Sequence, residues 1–177
     1  MFLIEPCIAD PSLLDAIKKV GYTFAITEKR DRITILADSR YDVKRAVNKY
    51  KNKILFVRPL SDEGFRSAVK EESVRGLSFD NKNVSLINKK IFRTLKKSRK
   101  LVEVNVNKIS FFHLSLLISA SSSANRLLLS SCAENKSELW SPLSKVSLLK
   151  FIGLSAEDSI WSVYHLPRLL LKGDIRT

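Results

Sequence analysis

Short apolar runs alternate with amphipathic stretches along most of this 177-residue chain, and that alternation limits the fold more than any other feature. Phe2-Leu3-Ile4 and residues 23–27, 33–36, 54–57, 76–79, 101–106 and 126–131 read as strands. Between most of them, apolar residues fall three and four apart, the spacing of a helix with one buried face. Asp10 and Pro11 open a helix that Gly21 closes. Ser61 caps another, with Asp62 and Glu63 favoured in its first turn by the helix dipole. Residues 41–50, 109–120 and 142–152 are further helices, and residues 121–123 read as a polar exit from the second of these. Ser155 caps one more, and His165-Leu166-Pro167 leads into a final short helical segment. Strand–helix repetition of this kind builds a parallel sheet. The expected fold is α/β, a compact TIM-like (β/α) barrel in one domain over residues 1–177. An open doubly wound sheet is the structural alternative. Closed barrels usually take ~200–250 residues, so this one is compact or incomplete. The short connection at residues 28–32 is its irregular place.

Charge is the second constraint. The formal net charge is +13, and residues 1–100 carry +11 of it. Between Lys82 and Lys100 there are eight basic residues and no acid: Lys82, Lys89, Lys90, Arg93, Lys96, Lys97, Arg99 and Lys100. Val84, Ile87, Ile91 and Leu95 thread the same stretch at helical spacing. The expectation is a helix over residues 82–100 with one buried face and one cationic face. Such a face suits a polyanion, with nucleic acid ahead of an anionic membrane surface. Arg58 and Arg126 join it as candidate nucleic-acid contacts. No run approaches the ~18 apolar residues of a membrane span. The N-terminus meets Glu5 without a cationic start, unlike a signal peptide. Cys7 and Cys132 read as two small buried residues in a reducing cytosol.

Groups suited to catalysis are scarce. The two histidines, His113 and His165, stand far apart with no His-x-His pair, whereas metal-dependent hydrolase barrels cluster His and Asp ligands. Five isolated glycines make no phosphate-cradling loop. Ser130-Ser131-Cys132 has no base nearby in sequence, and Glu103 reads as a salt-bridged strand residue. No catalytic residue, metal ligand or cofactor is expected.

The most specific stretch begins at Arg126. A strand ends in Ser130, Ser131, Ala133 and Glu134; Glu138, Leu139 and Pro142 follow; a helix then closes on Gly153, Leu154 and Ser155. This pattern resembles the archaeal and eukaryotic ribonuclease P protein component 3 family. Gly76-Leu77-Ser78-Phe79-Asp80 and Leu101-Val102-Glu103-Val104 resemble family strands in the same order, and Phe56-Val57-Arg58-Pro59 is compatible. The likeness covers residues 50–175 well and the first fifty loosely. It implies a barrel related to metal-dependent hydrolases but lacking their ligands. It also implies a cytoplasmic subunit of the ribonucleoprotein that removes the 5′ leader of precursor tRNA. The RNA would perform catalysis, while this chain pairs with protein component 2, meets other ribonuclease P proteins and steadies the catalytic RNA. The chain departs from the family in one place: residues 109–125 hold no Lys or Arg, where family members carry arginines. The basic stretch at residues 82–100 is expected to take that role, reading shape and backbone and not base edges.

Each motif also has a local expectation. Ser130 and Ser131 would expose hydroxyls and amides on the rim at the strand's C-terminal end. Glu138 and Pro142 would initiate a helix, and Gly153 would cap one. Two other functions compete. A barrel phosphohydrolase or nuclease would need metal-dependent turnover by the isolated protein. A pure interaction module would use the apolar helix at residues 109–120, with Phe111, Phe112, Leu116 and Leu117.

Overall fold

The computed structural model describes residues 2–120 and 126–172; the serine run at 121–123 lies outside them. Seven strands are described: β1 (Ile4–Ile8), β2 (Phe24–Thr27), β3 (Arg32–Ala37), β4 (Ile54–Pro59), β5 (Val74–Phe79), β6 (Leu101–Asn105) and β7 (Leu127–Ser130). The helices are α1 (Leu14–Lys19), α2 (Arg40–Lys49), α3 (Asp62–Lys70), α4 (Lys89–Lys97), α5 (Phe111–Ala120), α6 (Pro142–Phe151), α7 (Ala156–Ile160) and α8 (Leu166–Lys172). Side-chain caps set most helix starts. Ser39, Ser61, Ser141 and Ser155 each accept an amide from the first turn of the helix that follows.

The strands form two parallel sheets, β1–β2 and β3–β4–β5–β6–β7, and not one continuous closed ladder. Single residue pairs join them at both edges: Glu28 with Arg32, and Ile8 with Ala133. The first break follows from chain length. Only residues 28–31 separate β2 from β3, too few for the crossover that returns a chain to the start of a parallel neighbour. The two strands therefore overlap at one pair. The second break lies at Cys132, whose φ of +40° interrupts the ladder between Ser130 and Ala133.

The sheets nevertheless curl around a shared interior. Arg32 on β3 donates to Glu103 on β6 at 2.6 and 2.8 Å and to the Pro6 carbonyl on β1 at 3.1 Å. A flat sheet would hold β3 and β6 ~14 Å apart at ~4.8 Å per strand. Odd and even positions divide the work. On β4, Leu55 and Val57 pack outward with Val43, Phe65 and Ala68 of the helices, while Phe56 turns inward. Ile4, Ile26, Phe56, Leu101 and Leu128 form the inner floor, closed by Leu166 and Leu170 of α8. Above it the Arg32 guanidinium lies 4.0 Å over the Phe56 ring. Gly76 makes room for that ring, because a Cβ there would stand 2.5 Å from it.

Several local expectations change. β1 begins at Ile4 and not at Phe2. The basic helix is shorter than residues 82–100. A 3-10 turn at Val84–Leu86 precedes it, and Asn88 caps α4 by accepting the amides of Lys90 and Ile91. Glu138 does not initiate α6. It ends a 3-10 turn and accepts the Glu134 amide at 2.7 Å, while Ser141 caps the helix with Pro142 in its first turn. The terminal helical segment is no separate short piece. A π-helical turn at Trp161–His165 joins α7 to α8, and the widened turn accommodates Pro167, which lacks an amide donor. Cys7 and Cys132 are not separate thiols but a disulfide, brought together because the end of β1 meets the end of β7 across 125 residues. Among the described residues, no helix is long and apolar enough to cross a membrane.

Candidate nucleic-acid interface

α4 is amphipathic for a simple reason: its inward positions are Ile91 and Leu95, four apart, and both are buried. Lys89, Lys90, Arg93, Lys96 and Lys97 occupy the remaining faces and are exposed, with no acid in the helix. Lys89, Lys90, Arg93, Thr94 and Lys97 line a shallow concavity of about 430 Å³. Lys96 and Lys97 suit the negative end of the helix dipole. Lys89 and Lys90 oppose its positive end, a repulsion of order ~0.3–1 kcal/mol that a bound anion would relieve. Lys82 is exposed in the turn after β5, and Arg99 is exposed just past α4. Seven of the ten sequence-predicted contacts thus fall on or beside one helix.

The other three do not. Lys100 points inward, and its ammonium donates to the carbonyls of Glu71 and Val74, each at 2.6 Å. Burial holds that ammonium below the usual lysine range. Arg58, at the end of β4, pairs with buried Asp80 at 3.1 Å. Arg126 is half-buried at the foot of β7.

Arg58 belongs to a second place, a cavity of about 180 Å³ at the C-terminal mouth of the strands, shared with Cys7, Glu28, Asn105, Lys108 and Cys132. Its charges are mutually satisfied: Lys108 meets Glu134 at 2.7 Å, and Glu28 meets Arg32 at 3.2 Å. A rim balanced in this way exerts little pull on a polyanion. Ser130 and Ser131 do not decorate it. Both are fully buried, and the Ser131 amide donates to the Glu5 carboxylate at 2.9 Å.

The sequence reads Glu103 as a salt-bridged strand residue, as the structure finds it, but announces neither its partner Arg32 nor the buried Glu5–Lys145 pair. Burial alone would raise the Glu103 carboxyl, but Arg32, with hydrogen bonds from Ser130 and Ser78, outweighs it and holds the group below the usual glutamate range. Lys145 on α6 reaches inward to the second Glu5 oxygen and to the Leu129 carbonyl. Burial lowers this lysine, and Glu5 opposes that shift. Glu5 and Lys145 are 140 residues apart and Arg32 and Glu103 are 71 apart, so no local pattern announces either pair. Cys7, Glu103 and Cys132 also converge, their ligand-type atoms lying within 4.8 Å of one another. The sulfurs are spent on each other and Glu103 on Arg32.

Next to α4, α5 holds no charged residue, and α6 adds only Lys145, which is buried, and Lys150. Phe111 and Phe151 are exposed and pack against each other, ring centroids 5.6 Å apart, with Phe112 exposed beside them.

No family model and no curated protein sequence matches this chain. Among solved structures, it is similar to a chain in the cryo-EM structure of archaeal ribonuclease P with mature tRNA. The TM-score is 0.66 at 17% identity, over 93% of this chain and 80% of that one. The two share a fold: a mixed α/β architecture with helices around a parallel sheet.

Proposed function

We propose that this chain is a protein subunit of ribonuclease P, of the protein component 3 type, and that α4 holds the folded catalytic RNA by its phosphate backbone. The observation that carries the proposal is an acid-free cationic helix on a fold shared with a chain of an archaeal ribonuclease P complex. The two-sheet interior reads on this proposal as an incomplete TIM-like barrel whose seven strands close through side chains where backbone ladders lapse. Lys89, Lys90, Arg93, Lys96 and Lys97 supply the contact surface, with Lys82 and Arg99 at its ends. Bond cleavage belongs to the RNA, and precursor tRNA is met through it. The aromatic surface of α5 and α6 is the proposed seat of protein component 2, since Phe111, Phe112 and Phe151 offer exposed apolar area. The location that follows from this role is cytoplasmic.

The carboxylates of the interior and the rim favour this reading over a hydrolase. Glu103 is held by Arg32 through both oxygens, and Glu28 accepts from the Thr34 amide and hydroxyl. Reconstitution tests the proposal. Adding the chain to ribonuclease P RNA and the other protein subunits should restore cleavage of precursor tRNA at physiological magnesium. The chain alone should cleave nothing. Metal-dependent hydrolysis by the isolated chain, or no retention on the RNA at low salt, overturns it.

A further inference from the structure

The seam between β1 and β7 carries chemistry that RNA binding does not use. Its backbone pairing is one bridge, Ile8 with Ala133, helped by the amides of Ala9 and Asp10, which donate to the Ala133 carbonyl at 2.9 and 3.3 Å. The Cys7–Cys132 disulfide crosses the same seam, with Cα atoms 4.6 Å apart. The two sulfurs differ in access. Cys7 is 1% exposed, whereas Cys132 is partly exposed, and both border the rim cavity. Cys132 also holds a left-handed φ of +40°, a conformation L side chains rarely adopt, so its sulfur is presented by an unusual backbone. Glu28 Oε2 stands 3.8 Å from the Cys7 sulfur, an acceptor already in place for a released thiol.

We propose that Cys7–Cys132 is a thiol–disulfide exchange site, opened by small thiols through the rim cavity, and that it latches the β1–β2 sheet onto β7. An incoming thiolate attacks Cys132 Sγ. The protein S–S bond breaks, and its electron pair leaves on Cys7 Sγ, which takes a proton from solvent. A second thiolate attacks the external sulfur of the mixed disulfide, releasing Cys132 as a thiolate that is protonated in turn. Two small thiols become one small disulfide, and the protein disulfide becomes two thiols. The proposal does not depend on the RNA-binding reading. In a thiol-buffered compartment, this bond is the part of the fold open to exchange.

The full chain, purified without reductant and acid-quenched, is alkylated and weighed before and after dithiothreitol. Both cysteines should resist labelling until reduced. Limiting glutathione should trap the mixed disulfide on Cys132. On reduction, amides of β1 and β2 should exchange ~10-fold faster or more, while those of β4, β5 and β6 hold their protection. Cys7→Ser should reproduce the reduced pattern whether or not reductant is present. Because reduction of the unsubstituted chain gives the same readout, a poorly folding variant does not block the test. Free thiols in the unreduced protein, a trap on Cys7, unchanged exchange, or a uniform rise across all strands would each overturn the proposal.

Discussion

Arg32 and Arg93 are the same residue type in opposite surroundings. Arg32 is fully buried among the curled strands and gripped by Glu103, with Glu28 beside it; Lys145 is held in the same way by Glu5. Arg93 and its four cationic neighbours on α4 are exposed, on a helix without a single acid. A buried cation locked to a carboxylate adds almost nothing to the field outside the protein, because its partner cancels it at contact distance. Exposed cations such as Lys89, Lys90, Arg93 and Lys97 on an acid-free helix add to one local field. The interior pairs cancel in the net charge as well, so the +13 of this chain is carried by cations outside them. The two populations should respond oppositely to mutation, the first through stability and the second through RNA binding.

Glu103→Gln is the harshest way to break that contrast. It leaves buried Arg32 with only the partly exposed Glu28, at 3.2 Å, as a contacting countercharge, and removing one partner of a buried pair costs ~3–5 kcal/mol. Denaturant melts near neutral pH should show that loss, while the salt dependence of RNA binding stays as it was. The pH dependence has a definite sign. The folded Glu103 carboxyl ionises below the ordinary value of 4.5. Its stabilisation is thus complete above that value and lost as pH falls through the folded one. Melts repeated down to pH 3 should show the deficit of Glu103→Gln narrowing on the acid side. A constant deficit would mean that the pair is not what holds β3 to β6.

Reversing Lys89, Lys90, Arg93 and Lys97 to Glu probes the other population. If all four meet phosphates, the slope of log K against log salt should shrink by about 3–4. Stability should move little, since changes at exposed sites away from special features stay within about 0.5 kcal/mol each. Titrations of ribonuclease P RNA at several salt concentrations, run beside denaturant melts, measure both. A full slope with intact folding would remove α4 from the interface and leave the two populations alike in function.

The alternation of strands and helices was legible because it is local: a period near two in the strands and near 3.6 in the helices, punctuated by Ser61, Ser155 and Gly153. The cationic face of α4 was legible for the same reason. What stayed hidden depends on closure. The short connection at residues 28–32 is legible as an irregular place, and the sheet breaks there, but whether Cys7 meets Cys132 is decided by where two strand ends arrive. Strand ends usually lie on the rim, which is where the sequence alone puts Ser130 and Ser131. Glu5 instead draws the Ser131 amide inward, and no spacing in the sequence couples residues 126 apart. The basic stretch reads as one helix in the sequence because charge does not reveal caps. Asn88 moves the start of α4 well past Lys82.

The finest test of the contrast lies at two adjacent basic residues that sequence alone cannot tell apart. Arg99 is exposed, whereas Lys100 turns its ammonium onto two backbone carbonyls between α3 and β5. If Arg99 meets a phosphate, Arg99→Ala should lower the RNA salt slope by about 0.7–0.9 and leave stability within about 0.5 kcal/mol. Lys100→Ala should do the reverse. The Val74 carbonyl loses its side-chain donor and the Glu71 carbonyl keeps only the Val74 amide at 3.1 Å, a penalty of ~1–3 kcal/mol, and the slope is unchanged. The paired measurement is sharper than either alone, because removing one positive charge is common to both variants. A slope that falls equally in the two would mean that RNA responds to the total charge of the segment, and that the inward turn of Lys100 has no bearing on binding.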